Sequence, residues 1–201
     1  MTINYKDVLI NRGILWAPMY SDVQIPQHSE PGAAGMDVRA YLGPSNSGVD
    51  GFHNERMYSF NEDDDRSDRI LIETDDKGRY IEVKPTARVI IPTGLRFVCH
   101  QNLELQLRPR SSYIKHTLRM VNAPGTLDST YRGEIGILLE NISHTRTQRI
   151  YHGERIAQAV LAPYTSVMSD ASNTIPYDDP DSFAQFATSR GAGAFGSTGK
   201  Q

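Results

Sequence analysis

An acid set between a turn and a strand is the feature of this chain best placed to do chemistry. In Asn122–Asn141, NAPGTLDSTYRGEIGILLEN, Pro124 and Gly125 mark a turn and Asp128 and Tyr131 follow. Ile135, Ile137 and Leu139 then alternate with Glu134, Gly136 and Glu140. A period of two is the pattern of a half-buried strand, so the stretch predicts a β-hairpin carrying a carboxylate. Turn chemistry alone lets such an Asp bond its own backbone. The alternative is a general base held beside a substrate.

Other segments carry groups of complementary chemistry. Arg108-Pro109-Arg110-Ser111-Ser112-Tyr113 follows a predicted strand, and a guanidinium fork beside two hydroxyls suits phosphate oxygens. A short helix through Lys115 and His116, N-capped by Ser111 or Ser112, is a second use of the same residues and is compatible with the first. In Pro31–Ala40, PGAAGMDVRA, small residues allow a tight bend into a strand. Asp37 there either decorates that strand or holds a hydrated Mg2+, a cation that often takes only one or two protein carboxylates. Gln158, in Tyr151–Leu161, points outward from a core strand or serves as a polar ligand. The segment Ser189–Gln201 reads by composition as a flexible tail. It approaches the phosphate-loop pattern GxxxxGK[ST], but Ala194 stands for the first Gly, Gln201 stands for Ser or Thr, and no helix follows. A P-loop NTPase is therefore excluded, leaving an arm with one Arg, one aromatic and a Gly-Ser-Thr run.

Positioning these groups falls to short strands. Ile14–Ala17 ended by Pro18, Tyr80–Val83, Arg88–Ile91 closed by Pro92-Thr93-Gly94, Leu95–Val98 and Leu103–Leu107 read as strands of a sandwich or barrel. From Tyr41 to about Arg79 the composition shifts to Gly, Ser, Asn and charge, with an acidic run at Asn61–Arg69, which reads as an insertion with a solvated loop. Ile70, Leu71 and Ile72 are candidates for a short strand within it. At 201 residues the chain can bury one sizeable core. A net charge of -3 argues against stable nucleic-acid binding. One cysteine, Cys99, excludes an internal disulfide and fits a reducing compartment such as the cytoplasm. The six histidines show no HxH or HExxH spacing. No signal or membrane-spanning run is legible, so the expectation is a protein without a membrane partner.

Taken together, five separated segments resemble the homotrimeric dUTP pyrophosphatases (dUTPases). Ala34–Ala40 is similar to that family's AGxDLxA segment, Arg110-Ser111-Ser112 to its Arg-Ser-Gly segment, and Asn122–Tyr131 to its central hairpin. Gly153–Gln158 is similar to GDRIAQ and Arg190–Gly199 to the RGxGGFGSTG arm. The resemblance implies an all-β, distorted jelly-roll-like β-barrel with one short helix, spanning residues 1–188 with the insertion at about 41–79. A C-terminal arm, 189–201, would close over the active site of a homotrimer. It implies hydrolysis of dUTP to dUMP and pyrophosphate with Mg2+, in the cytoplasm, or the host cytoplasm were the gene viral. Asp128 would be the general base. Asn122 would hold the uracil edge, with backbone near Thr126, Leu127 and Gly136. Tyr131 would lie against the deoxyribose. Arg110, Ser111, Ser112 and Gln158 would meet phosphates, and Asp37 would orient Mg2+ through water. Arg190, Phe195, Gly196 and Ser197 would close the site, and each site would draw on all three subunits.

Departures from the family pattern are Ser112 for Gly, Glu154 for Asp, Val38 for Leu and Ala194 for the second Gly of GGFG. The neighbouring reading is dCTP deaminase, which shares the fold and needs a further glutamate ten residues after the position of Asp128. Leu138 stands there. A binding module using the acidic insertion is the non-enzymatic alternative.

Overall fold

Pro18 stops the first apolar run, which forms β1 (Ile14–Pro18) in the computed structural model, where residues 13–43 and 71–165 are described. The other strands are β2 (Met36–Arg39), β3 (Glu73–Asp75), β4 (Gly78–Val83), β5 (Arg88–Pro92), β6 (Leu95–Cys99), β7 (Leu103–Arg108), β8 (Leu118–Met120), β9 (Gly125–Leu127), β10 (Gly136–Asn141), β11 (Gln148–Tyr151) and β12 (Arg155–Pro163). A 3-10 helix, Ser111–Lys115, lies between β7 and β8. The strands form four antiparallel sheets, ordered β1-β6, β5-β10-β8, β11-β4-β3 and β2-β12-β7-β9. Among the described residues only β3 and β4 pair as sequence neighbours, and every other ladder joins distant segments. Such crossing connectivity is that of a distorted jelly-roll-like barrel.

Alternation along the strands builds one core. Val38, Ile81, Val89, Ile91, Phe97, Leu105, Ile137, Leu139, Ile150 and Ile156 are fully buried and belong to a single cluster. Each contributes about 1.5–3 kcal/mol by leaving water. Their intervening residues face outward, and that outer face carries the chemistry.

Three local expectations are corrected. The stretch Asn122–Asn141 is not a hairpin: β9 pairs with β7, whereas β10 pairs with β5 and β8. The residues between β9 and β10 cross from one sheet to another, a non-local choice that alternation cannot reveal. The 3-10 helix begins one residue earlier than expected, with Arg110 in extended conformation at the N-cap and no side-chain cap bond, so neither Ser111 nor Ser112 caps it. The strand near residue 71 is Glu73–Asp75, and Leu71 and Ile72 lie outside it. Asp75 Oδ1 accepts the Lys77 N–H at 2.9 Å, closing a turn that sets Asp75 opposite Gly78, and Leu71 is left exposed.

At the start of the stretch that reads as an insertion, Tyr41 and Leu42 are buried. Tyr41 Oη donates to Asp22 at 2.7 Å, and the Leu42 N–H donates to His152 Nδ1 at 3.1 Å. The acidic run at 61–69 lies outside the described residues.

His152 therefore works as a neutral acceptor. Burial, and then Arg79, hold its pKa below the ordinary 6.5, with Asp22 opposing. Because the folded value is the lower one, the fold binds a proton less readily than the unfolded chain. The bond's contribution is then complete above about pH 6.5 and is lost as pH falls through the folded value. The melting temperature of the wild type should drop over that acid range, and His152→Asn, which keeps an acceptor without a titrating ring, should flatten the drop. Identical pH profiles for the two proteins would disprove the role given to His152.

Candidate active site

The sheet β2-β12-β7-β9 carries Asp37, Gln158, Thr126 and Leu127, and Arg110, Ser111 and Ser112 follow directly on β7. Its register places Asp37 opposite Gln158 and Gln158 opposite Arg108, one row across three strands. Two residues beyond that row, Arg110 turns back, and its Nε meets Asp37 Oδ1 at 2.7 Å. Arg155 Nη1 takes the other oxygen of Asp37 at 3.0 Å. Arg110 Nη1 also donates to Ser112 Oγ at 3.0 Å and to the Arg155 carbonyl at 3.3 Å. Gln158 Nε2 donates to the Pro109 carbonyl at 2.9 Å. Ser111 is exposed beside this cluster.

Close approach explains one glycine. A Cβ on Gly35 would stand 2.2 Å from Gln158 Oε1, so any side chain at 35 would displace the Gln158 amide from the cluster.

Arg155 was missed by sequence reasoning. Strict alternation puts residues three apart on opposite faces, so Gln158 gave no pointer to it. An irregularity between Arg155 and Ala157 shifts the register, and Arg155 joins the same cluster. Ser112, read as a departure from the family's Gly, turns out to supply an acceptor for Arg110.

The cluster has two guanidinium groups and one carboxylate, so its formal charge is positive and it suits a polyanion. It does not suit a bare metal ion. Both Asp37 oxygens already accept from arginines, and no group of three or more His, Cys, Asp or Glu side chains is placed to hold a metal among the described residues. The donor set fits an outer-sphere contact, through water, to a Mg2+ that arrives on phosphates.

The second part of the site follows β9. Asn122 is exposed next to the Ala123–Pro124 bond, which is cis. Thr126 is exposed and Leu127 half-buried at the end of β9, and Gly136 opens β10 opposite Pro92. The exposed Asp128 contributes its carbonyl, not its carboxylate, to the turn, accepting the Tyr131 N–H at 3.0 Å. Its carboxylate has no hydrogen bond or ion pair among the described residues, so the self-capping use of this Asp is set aside. Tyr131 Oη donates to the Glu134 carbonyl at 2.7 Å, and Arg132 Nη1 ties the Ser129 and Tyr131 carbonyls at 2.6 and 2.7 Å.

The strand register carries Asp128 away from the cationic cluster, whereas Asn122, beside Gly125, lies at the near end. β9 runs antiparallel to β7, with Gly125 opposite Leu107 and Leu127 opposite Leu105, so Asp128 leaves from the end remote from Arg108. Strand geometry puts it roughly 13 Å along the sheet from the Asp37–Gln158–Arg108 row. Arg190, Phe195, Gly196 and Ser197 lie outside the described residues.

The dUTPase family model matches residues 78–199, more than half of the chain. A deoxyuridine 5'-triphosphate nucleotidohydrolase of Dinoroseobacter shibae is 38% identical over 179 residues, 89% of this chain and 89% of that protein. The chain belongs to the dUTPase family. A relative of the same name from Roseobacter denitrificans is 33% identical, covering 95% of this chain and 97% of its own. Among solved dUTPases, that of Staphylococcus bacteriophage 80alpha with dUPNHPP shares the fold at a TM-score of 0.62, with 16% identity, over 94% of this chain and 99% of that one. The Streptococcus mutans dUTPase shares it at 0.52, with 20% identity, over 79% and 100%. No helix among the described residues is long and apolar enough to cross a membrane.

Proposed function

We propose that the protein hydrolyses dUTP, as Mg·dUTP, to dUMP and pyrophosphate, at sites shared between the subunits of a homotrimer. The observation that carries this reading is the Asp128 carboxylate, unbonded among the described residues and set roughly 13 Å along the sheet from the row that leads to the cationic cluster. A second copy brings the two together. The names of the curated relatives support the substrate.

In this mechanism Arg110, Arg155, Ser111, Ser112 and Gln158 hold the phosphate chain. Asp37 fixes the two arginines and would hold a hydrated Mg2+ through water. Bound Mg2+ supplies charge neutralisation of the triphosphate. Asp128 of a neighbouring subunit takes a proton from water as the water oxygen bonds to the α-phosphorus. The bond from that phosphorus to the bridging oxygen breaks, and pyrophosphate leaves with the electron pair. Orientation of the water and cancellation of charge supply the remaining acceleration. Asn122, with backbone near Thr126, Leu127 and Gly136, reads the uracil edge in a slot too narrow for a 5-methyl group, and Tyr131 lies against the deoxyribose. The arm residues Arg190, Phe195, Gly196 and Ser197 close over the terminal phosphate and the base. Stacking by Phe195 adds about 1–3 kcal/mol without selecting the base. Such an enzyme keeps uracil out of DNA and supplies dUMP, work that places it in the cytoplasm. At the position where deamination needs a glutamate, Leu138 pairs with Ile90 inside β10 and β5, which disfavours attack on dCTP.

Pyrophosphate release from dUTP, dTTP, dCTP and UTP tests the reading. Turnover should be confined to dUTP; comparable rates on all four would defeat it.

A further inference from the structure

We propose that Gly133 and the carbonyl of Glu134 set discrimination against ribonucleotides, by fixing the ring of Tyr131. The inference rests on the placement of Tyr131 at the sugar given above. The ring crosses Gly133 so closely that a Cβ there would stand 2.5 Å from Oη, 2.7 Å from Cζ and 3.1 Å from Cε2. These atoms belong to a stiff ring, so a side chain at 133 can be accommodated only by turning it.

The same hydroxyl donates to the Glu134 carbonyl at 2.7 Å, and that carbonyl is itself held. Glu134 is buried, and its Oε1 accepts the Gly94 N–H at 2.7 Å. Next to it, the Ile135 N–H donates to the Leu95 carbonyl at 2.8 Å, and the Ile135 carbonyl accepts from Thr93 Oγ1 at 2.7 Å. Tyr131, a residue 39% exposed, is thereby anchored from the buried corner between β5 and β6.

Rigidity is what the chemistry needs. A 2'-hydroxyl adds one small polar group, and a wall that yields rejects such an addition weakly. A fixed ring face offers that hydroxyl no hydrogen-bond partner while keeping water away, so the ribonucleotide loses solvation it cannot replace. With the tether gone or the ring turned, space opens for the hydroxyl. The catalytic acid is tied to Tyr131 by a different bond, from the Tyr131 N–H to the Asp128 carbonyl at 3.0 Å, so the wall and the base can be separated by mutation.

Steady-state kinetics of the wild type, Gly133→Ala and Tyr131→Phe on dUTP, UTP and dTTP provide the test. In Gly133→Ala the UTP:dUTP ratio of kcat/KM should rise by about tenfold or more, the scale on which small groups are discriminated. Tyr131→Phe keeps the ring and removes only the tether. It should shift the ratio in the same direction by a smaller factor, and it decides the matter if Gly133→Ala does not fold. The dTTP:dUTP ratio should stay unchanged in both, because the base edge is read elsewhere. An unchanged UTP:dUTP ratio, or a parallel loss on all three nucleotides, would overturn the inference. Failure of the underlying reading looks different: the wild type itself would turn over UTP as readily as dUTP.

Discussion

Asp128→Asn is expected to lower kcat on dUTP by about 10²- to 10⁴-fold, the usual worth of a positioned general base. Nucleotide should still bind, because the amide keeps the size of the carboxylate and the proposed uracil and phosphate contacts fall to other residues. The melting temperature should hardly move. Among the described residues the Asp128 carboxylate makes no bond, and the turn is closed by its carbonyl instead. Turnover measured beside equilibrium binding of a non-hydrolysable dUTP analogue separates these effects. Near-normal turnover would remove Asp128 from the chemistry, whereas loss of binding would recast it as a ligand contact.

Arg110→Ala should be the second most damaging change, lowering kcat/KM by about 10²- to 10³-fold, as removal of a preorganised charge-stabilising donor does. Arg110 bonds Asp37, Ser112 and the Arg155 carbonyl at once, so the substitution removes the proposed phosphate ligand and a partner of the second arginine. Arg110→Lys should recover only part of the activity, since an ammonium cannot reproduce the planar fork. Folding stability should change by less than about 1 kcal/mol, because the ion pair is partly open to solvent. Equal kcat/KM for Arg110→Ala and the wild type would show that the cluster does not grip the nucleotide.

The strands were legible because their residues alternate cleanly. Leu103, Leu105 and Leu107, or Ile137 and Leu139, leave little choice of face, and Pro18 and Pro92-Thr93-Gly94 punctuate the runs. Pairing was less legible, since it is decided between distant segments. Nothing in NAPGTLDSTYRGEIGILLEN says that β9 will join β7 while β10 joins β5 and β8. The cationic cluster was visible as residue types, yet the bond between Arg110 and Asp37, 73 positions apart, was not. Arg155 stayed hidden because a strand irregularity broke the period-two rule. Glu154, a departure from the family's Asp, keeps a carboxylate in use: its Oε2 accepts the Tyr151 N–H at 2.9 Å, closing the turn before β12.

Mixed assembly tests the shared site most directly. Asp128→Asn and Arg110→Ala subunits, each inactive alone, would be co-expressed with different tags, purified as mixed oligomers and assayed on dUTP. In a cyclic trimer whose sites each take the acid from one subunit and the arginine cluster from another, random assortment leaves roughly a quarter of sites intact, so activity should return to about that fraction of wild type. Mixed oligomers no more active than the sum of the two parents would contradict the claim that one subunit's acid serves the phosphate grip of another.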